Sequence, residues 1–400
     1  MIESVFQRGY AATTVAHVIA LAGVSRRAFY EQFANKEECF LATYDIVVAR
    51  SRKRVLEAWL SERGWANRLH LACQAFLDDI AQNGKGVRLV LVDSLGIGPK
   101  GRERLHLAAA AYERVVATGF SLAPDNIVLP PLAPRAIVGG VRHVAYARVR
   151  EGRAHEISGL TEELLDWIGS YRSPAAARLC AIGSTSMPPP ISPSPAGFLR
   201  GEDRRSRVLG SMVHLTLDEG YVELTDPQIA QFAGVSTEAF HKQFTSKEEC
   251  FLMVVEEFAV EALDTVTRAA AEGSCWPEAI RLGMGALVEY LVAHPALVRM
   301  AFVDLFDVGP GMVGRMTGSI EGFTKLLARG APEARRGPAV AAEAVVGAIW
   351  AIMNSYVTRN RLQYLPCLVD HLTFIVLAPY LGPRAAIEAL EGTRARATAA

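Results

Sequence analysis

The sequence predicts an all-α protein made of two similar units in tandem, and three observations lead to this fold class. Most of the 400 residues follow a pattern with apolar side chains at intervals of three and four, as in a helix with one buried face. Alternating runs of β-branched residues, which would indicate strands, are few. The sequence also repeats itself at an offset of 211, because residues 9–41 and 220–252 are identical at 17 of 33 positions without a gap.

This repeat is a domain-sized unit, since solenoid repeats are only about 20–50 residues long. The same offset relates Trp65 to Trp276 further along the chain. Each half contains a short helical block followed by a longer helical part, and a Pro- and Ser-rich segment separates the halves. The predicted domains are a first helix-turn-helix at 1–45, a first helical effector and dimerisation domain at 46–172, a linker at 173–201, a second, acidic helix-turn-helix at 202–257, and a second helical domain at 258–391.

Charge is distributed unevenly, although the chain carries 42 basic and 42 acidic residues. Residues 1–54 have a net charge of +3, whereas residues 201–257 have a net charge of −6. Neither a signal peptide nor a membrane-spanning apolar run is apparent in the sequence, so we expect a cytoplasmic protein without a membrane partner.

The short block of each half has the pattern of a helix-turn-helix. Thr13 or Thr14 is placed to cap a helix that ends at Gly23, and Ser25 is placed to cap the next helix. Val24 and the phenylalanines at 29 and 33 are expected to point into the core. Two short helices joined by such a Gly-containing turn bind DNA when the second helix enters the major groove.

The residues of this block resemble the DNA-binding signature of the TetR family of repressors. The resemblance is carried by Thr13-Thr14-Val15, Ala22-Gly23-Val24-Ser25, Phe29-Tyr30 with Phe33, and Asn35-Lys36-Glu37-Glu38. It is tight over 9–45 and 220–257, and elsewhere it rests on the helix pattern alone. It implies a three-helix DNA-binding domain, a variable effector-binding domain, and two late helices that form a four-helix bundle in a dimer. A chain with two copies departs from the usual organisation of the family.

The resemblance also implies which residues contact the operator. In the first copy these are Thr14, Ser25, Arg26, Arg27, Ala28, Tyr30, Gln32 and Lys36. Tyr30 and Lys36 match phosphate-contacting positions, and the chemistry of the others agrees, since Arg pairs with guanine and Gln with adenine. The weaker second set is Thr225, Thr237, His241, Lys242 and Lys247. Because Glu238 replaces Arg27 and the block is acidic, we expect the second block to be weakened or retired for DNA.

The larger helical parts are expected to hold an effector site. In the second copy the candidates are soft and aromatic residues suited to a small apolar ligand, namely Met284, Tyr290, Phe302, Phe306, Met316, Trp350 and Met353. The late helices, about 134–150 with 160–172 and about 338–359 with 365–378, are expected to pair across the halves, where glycines permit close approach. Pairing within one chain and pairing between two chains both remain open.

Other chemical patterns have simpler interpretations. Residues 96–101 match the Gly-x-Gly-x-x-Gly of dinucleotide sites, but the second copy loses the pattern and no βαβ order surrounds it, so a helix–helix loop is expected. Patterns for a metal site, a cofactor or a catalytic triad are not apparent.

The predicted function is therefore a ligand-responsive, nucleoid-associated bacterial repressor that binds an operator in double-stranded DNA. The alternative is a ligand-sensing or protein-interaction module in which the two helix-turn-helix blocks, called the DNA heads below, are degenerate. The natural start either lies at Met1, with a short first helix, or upstream.

Overall fold

All regular structure in the described part of the chain is helical, which confirms the all-α prediction. The computed structural model describes residues 1–124, 129–174, 178–179, 191–192, 196–308, 322–325, 327 and 340–399. Most of the predicted linker, Met316 and residues 309–310 lie outside these ranges. The chain forms two compact units, one of residues 1–174 with 337–348, and one of residues 175–336 with 349–400.

The first unit begins with four helices of the helix-turn-helix block and its extension. They are α1 (Ile2–Ala12), α2 (Val15–Ala22), α3 (Arg26–Tyr30) and α4 (Lys36–Ser61). The body then contains α5 (Trp65–Gln82), α6 (Gly84–Leu91), a 3₁₀ turn (Asp93–Ile97), α7 (Pro99–Ser121), α8 (Ala133–Arg150), a second 3₁₀ segment (Ala154–Leu160) and α9 (Thr161–Gly169). Gly9 bends α1 with a φ of 73°, a backbone conformation that favours glycine.

The second unit repeats the order of the first. Its helices are α10 (Arg204–Asp218), α11 (Asp226–Phe232), α12 (Thr237–His241), α13 (Lys247–Ala271), α14 (Trp276–Ala293), α15 (Pro295–Arg299) and α16 (Leu305–Val308). Later come α17 (Ala341–Thr358), whose first eight residues belong to the first unit, α18 (Val369–Leu381) and α19 (Pro383–Ala399). The helices α3 and α12, α4 and α13, and α5 and α14 begin at the same offset of 211.

Residues 96–101 form a helix–helix junction, as expected. The 3₁₀ turn ends at Ile97, Gly98 adopts a φ of 77°, and Pro99 begins α7. Proline is favoured there because the first turn of a helix does not use its backbone N–H groups. A dinucleotide-binding strand–turn–helix is therefore not formed.

Among the described residues, one helical stretch, Leu362–Leu381, has the length and apolar composition of a membrane-spanning helix. The bent helix pair Trp276–Ala293 and Pro295–Val308 has this length and composition only when the two helices are taken together. The stretch Leu362–Leu381 was not predicted from the sequence as a membrane-spanning candidate, because Gln363, Pro366 and Asp370 interrupt its apolar residues. About half of it, 56%, is buried within the protein. Its second part, α18, packs against α14 and α19, which is the position of a core helix.

The body contacts the helix-turn-helix block through one apolar cluster. Val5 of α1 and Phe40 and Tyr44 of α4 pack with Leu89 of α6 and Ile97 of the 3₁₀ turn. These buried side chains come from both parts of the unit, so the block and the body share a core.

An ion pair between a partly exposed arginine and a buried aspartate accompanies this junction in both copies. Asp93 lies 3.8 Å from the Arg88 guanidinium, and Asp304 lies 3.4 Å from Arg299, at the same offset of 211. Asp93 is only 5% exposed. Burial raises the pKa of the Asp93 carboxyl to about 6, although Arg88 opposes this effect.

We expect Asp93→Asn to change how the stability of the first unit depends on pH. Because the folded pKa lies above the unfolded value, the folded state binds more protons between about pH 4 and 6, and wild-type stability falls as pH rises through that window. The stability of the variant relative to wild type should therefore increase by about 2–3 kcal/mol from pH 4 to pH 7. Urea unfolding of both proteins across this range measures the difference. A difference that stays constant with pH would contradict the assignment.

Candidate nucleic-acid interface

The first helix-turn-helix is held by side-chain caps that the sequence predicts. The Thr14 hydroxyl accepts a hydrogen bond from the His17 backbone N–H, and the His17 Nδ1 accepts one from the Thr14 N–H, both at 3.3 Å. Gly23 ends α2 with a φ of 66°, and the Ser25 hydroxyl accepts from the Ala28 N–H at 3.1 Å. Thr14 is thus the cap, and Thr13 is buried and donates to the Gly9 carbonyl.

A small core orients α3 with respect to α2. Val18, Phe29 and Cys39 are buried together, and Phe33 packs against them from the side. Val24 was expected in this core but is 46% exposed, because the left-handed Gly23 directs the next residue outward to the turn surface. Phe29 therefore forms the buried face of α3. The other residues of this helix are free to face a binding partner.

The predicted DNA-reading residues lie together on an exposed surface. Arg26, Arg27, Tyr30 and Gln32 are all exposed, and Ala28 is half-buried between them. The Arg27 side chain is 89% exposed and its Nε donates to Glu31 at 2.9 Å, one helical turn along α3. The Tyr30 ring is half exposed and packs edge-on against Phe29, 5.4 Å between centroids. A surface pair of this type is weak, so Arg27 is available to a phosphate or a base.

Lys36 has internal partners in addition to its predicted place near DNA. Its Nζ donates to the Tyr10 carbonyl at 2.9 Å and lies 4.2 Å from the centroid of the Tyr10 ring. Burial lowers the pKa of this lysine. Lys247 repeats the arrangement in the second copy, where it donates to the carbonyls of Tyr221 and Leu224. The lysine thus ties the start of the long helix to the chain just before the helix-turn-helix.

We expect Lys36→Met to lower the stability of the first unit by about 1–2 kcal/mol, because a charged donor to a half-buried carbonyl and a cation–π contact are lost. Thermal unfolding measures this change. Arg26→Met is the matched control, since Arg26 is exposed and no loss of stability is expected. A loss of DNA affinity without a loss of stability would show that Lys36 serves as a phosphate contact alone.

The second helix-turn-helix has the same backbone with different chemistry. The Ser236 hydroxyl caps α12 through the Ala239 N–H at 3.1 Å, as Ser25 caps α3. On its surface Lys242 lies 2.8 Å from Glu238, and His241 lies 3.6 Å from Asp226. Thr225 and Thr237 are also exposed, at the starts of α11 and α12. The surface thus presents hydroxyls and the Glu238 carboxylate where the first copy presents arginines.

The predicted effector residues of the second copy pack closely with one another. Phe302 and Trp350 stack with ring centroids 4.1 Å apart, and Tyr290 stacks on Phe258 at 5.4 Å. The remaining residues of the set divide by burial: Met284 and Met353 are buried, Phe306 is half-buried, and Met316 lies outside the described residues. Phe302 belongs to a π-helical turn, Met300–Asp304. These contacts are those of a packed core, and ligand binding there stays a prediction.

Two features of the first unit were not predicted from the sequence. The Arg88–Asp93 pair was detectable, because Arg299 and Asp304 repeat it at the same offset. The Tyr44 hydroxyl, which is buried without a hydrogen-bond partner in the described part of the chain, had no such signal. In the described part of the chain, no group of three or more His, Cys, Asp or Glu is placed to hold a metal ion.

Comparison with known protein families agrees with this helix-turn-helix geometry. Residues 2–43 match the family model for bacterial regulatory proteins of the tetR family, and this span contains α1, α2, α3 and the start of α4. Among solved structures, the chain is similar to the fatty acid degradation regulator FadR from Bacillus halodurans, with 16% sequence identity and a TM-score of 0.40 over 44% of this chain and 96% of that chain. Residues 2–43 are therefore a DNA-binding helix-turn-helix of the tetR type.

Proposed function

We propose that the chain is a sequence-specific transcriptional regulator that binds double-stranded DNA mainly through its first helix-turn-helix and acts as a ligand-responsive repressor in the bacterial nucleoid. The observation that supports this most directly is the exposure of Arg26, Arg27 and Tyr30 on one face of α3. The N-terminus of a recognition helix in the major groove places such side chains against base edges and phosphates. The match of residues 2–43 to the tetR family supports the same function.

The second helix-turn-helix contributes little DNA affinity in this proposal. Most non-specific affinity for DNA comes from neutralisation of phosphates by lysine and arginine. The first turn of α12 carries Thr237 and Glu238 in place of the two arginines of α3, and residues 201–257 have a net charge of −6. This acidic head is the observation behind the second candidate function, in which the first head is degenerate as well and the chain serves as a sensor or protein-interaction module.

Binding of the purified chain to its own upstream DNA at two salt concentrations separates these functions. A regulator that contacts about 3–5 phosphates should lose about 6- to 20-fold in affinity between 100 and 200 mM salt. A sensor with degenerate heads should show no specific complex at either concentration. Turnover of a small substrate without DNA binding would favour an enzyme, which is not expected.

The geometry of the functional assembly is also part of the proposal. We infer that the late helices pair within one chain, because Ala341–Ala348 of α17 belongs to the first compact unit together with α8 and α9. In that unit the Val340 backbone N–H donates to Glu163 at 3.2 Å, and Arg148 pairs with Glu343. A chain that pairs internally has one strong and one weak head, so it reads an asymmetric site. Selection of bound sequences from a random DNA pool tests this, and a palindromic motif would instead indicate two chains.

A further inference from the structure

The capping box at the start of α2 contains a histidine that accepts a hydrogen bond. The Nδ1 atom of His17 accepts from the Thr14 backbone N–H, and the Thr14 hydroxyl accepts from the His17 N–H, both at 3.3 Å. An imidazole nitrogen accepts a hydrogen bond only when it carries no proton, so the ring proton of neutral His17 is on Nε2. His17 therefore completes this capping box only in its neutral form.

The second copy closes the same capping box with a residue that does not titrate. Gln228 stands at the position of His17, and its Oε1 accepts from the Thr225 N–H at 2.9 Å and from the Thr225 hydroxyl at 2.7 Å. An amide oxygen remains an acceptor at any pH near neutrality. The fold therefore does not require a histidine at this place, and sensitivity to protonation is a property of the first copy.

The cap bears on DNA binding because Thr14 is one of the residues expected to contact the operator. The Thr14 hydroxyl oxygen is held by the His17 N–H, so the hydroxyl hydrogen remains available to a phosphate oxygen. In the second copy the Thr225 hydroxyl donates its hydrogen to Gln228 instead. His17 thus holds Thr14 in place and leaves its hydroxyl donor free.

A second proton on His17 is incompatible with this arrangement. The imidazolium has an N–H at both nitrogens and no acceptor, so its Nδ1–H would oppose the Thr14 N–H across 3.3 Å. The positive ring would also lie in the first turn of α2, where the backbone N–H groups disfavour a cation. The Thr14 N–H would lose its partner, and the start of α2 would loosen.

The charged groups on the elements around α2 have separate roles. The helix packs against α1 and α3, and Val18 also contacts Cys39 of α4. The charged groups of these elements near the block are Glu3 with Lys85, Arg8 with Gln7, Arg27 with Glu31, Lys36 with the Tyr10 carbonyl, Glu37 with Lys100, Glu38 with the Ala34 N–H, the exposed Arg26 and the amino group of Met1. Lysine, arginine and carboxylate side chains mostly keep their charge between pH 5.5 and 7.5, whereas histidine and an α-amino group do not. A comparison that changes only His17 therefore isolates its contribution.

We propose that His17 is a positioning residue for operator binding, which holds Thr14 toward the DNA backbone only while its imidazole is neutral, so that acid weakens binding by the first head. The apparent affinity falls with the fraction of heads that carry the neutral ring. The effect on DNA rests on the proposed function, whereas the hydrogen-bonding state of His17 does not.

The first test is the pH profile of operator binding by the full chain. Affinity for a labelled operator is measured at pH 7.5 and pH 5.5 and fixed salt, and the ratio of the two values is compared between proteins. Wild type should lose about three- to tenfold more affinity on acidification than His17→Gln, which keeps an acceptor for the Thr14 N–H without titrating. His155→Gln is the matched control, since His155 is exposed in the body of the first unit, and its ratio should equal that of wild type.

Two results of this test would overturn the proposal. Equal ratios in wild type and His17→Gln would show that His17 does not position Thr14. A smaller loss in wild type than in His17→Gln would show that the imidazolium attracts a phosphate directly. Asp93, whose carboxyl pKa is raised to about 6, is present in every protein compared and does not affect the difference between them.

The second test observes the ring in the absence of DNA. Nitrogen NMR of the imidazoles of the full chain is recorded, and the spectrum of His17→Gln identifies the His17 signals. At pH 7.5 Nδ1 should be unprotonated and Nε2 protonated. At pH 5.5 the Thr14 amide should exchange its hydrogen at least threefold faster in wild type than in His17→Gln at the same pH. A proton on Nδ1 at pH 7.5, or equal exchange in the two proteins at pH 5.5, would show that the proposal is wrong.

The two proposals fail in different ways. Protein that binds no operator at either pH would reject the regulator and the effect of His17 on DNA, while the NMR measurement would still confirm or reject the capping contact. Protein that binds its operator with the same pH ratio as His17→Gln would retain the regulator and reject the role of His17.

Discussion

Arg27→Glu is expected to lower the affinity of the protein for its operator by about 10- to 100-fold. A bidentate contact from arginine to a base contributes about 1–3 kcal/mol of discrimination, and the new carboxylate would also repel the phosphates. The carboxylate at residue 27 would lie one helical turn from Glu31, so the exposed face of α3 would change from basic to acidic. Fluorescence anisotropy with a labelled operator at fixed salt measures the change.

The second copy supplies the matched control for this substitution. Glu238 occupies the position of Arg27, with the same capped helix and a similar exposure. Glu238→Ala should change the affinity by less than about threefold, because α12 contributes little to binding in our proposal. Neither substitution should affect the fold, since both side chains are exposed. Equal losses from the two substitutions would show that both heads read DNA, and no loss from Arg27→Glu would remove α3 from the interface.

The elements of the first helix-turn-helix were predictable because their signals are local. Thr14, Gly23 and Ser25 act through hydrogen bonds and backbone angles within three or four residues, so the residue types alone fix where α2 ends and α3 begins. The glycines at 98 and 23 similarly reveal turns. The repeat strengthened these assignments, since the caps recur at the same offset, with Thr225 for Thr14, Ser236 for Ser25 and Ser246 for Asn35.

The features that the sequence did not reveal depend on contacts between distant segments. Lys36 looks like a phosphate contact in its local motif, but its ammonium group reaches the Tyr10 carbonyl 26 residues away. Val24 has the composition of a core residue, and only the backbone at Gly23 decides that it points outward. Such juxtapositions follow from tertiary packing, which a periodic pattern does not specify.

Gly140→Val should destabilise the first unit by about 3 kcal/mol or more, which corresponds to a fall of about 6–12 °C in the unfolding midpoint. A Cβ atom at residue 140 would overlap the buried Trp167 ring and lie 2.6 Å from the Ala344 carbonyl oxygen. Neither neighbour is free to move, because Trp167 is fully buried and the oxygen belongs to the backbone of α17. Differential scanning calorimetry of the full chain measures the effect.

Two further variants test the close approach between α8 and the start of α17. Gly169→Ala is the control, since a Cβ there meets no atom within 4 Å, and a small gain in stability is expected from the alanine. Gly347→Ala tests the same contact from α17, because its Cβ would overlap His143 and lie 3.2 Å from the Gly139 carbonyl.

The dependence of unfolding on protein concentration then separates the two modes of pairing. If α8 and the start of α17 pair within one chain, the midpoint should not change over a hundredfold range of protein concentration, whereas pairing between chains should raise it as the concentration increases. A midpoint that rises with concentration in wild type but not in Gly347→Ala would place this glycine contact between two chains. The asymmetric operator would then no longer be expected, because two first-copy heads would bind a palindrome about one helical turn apart.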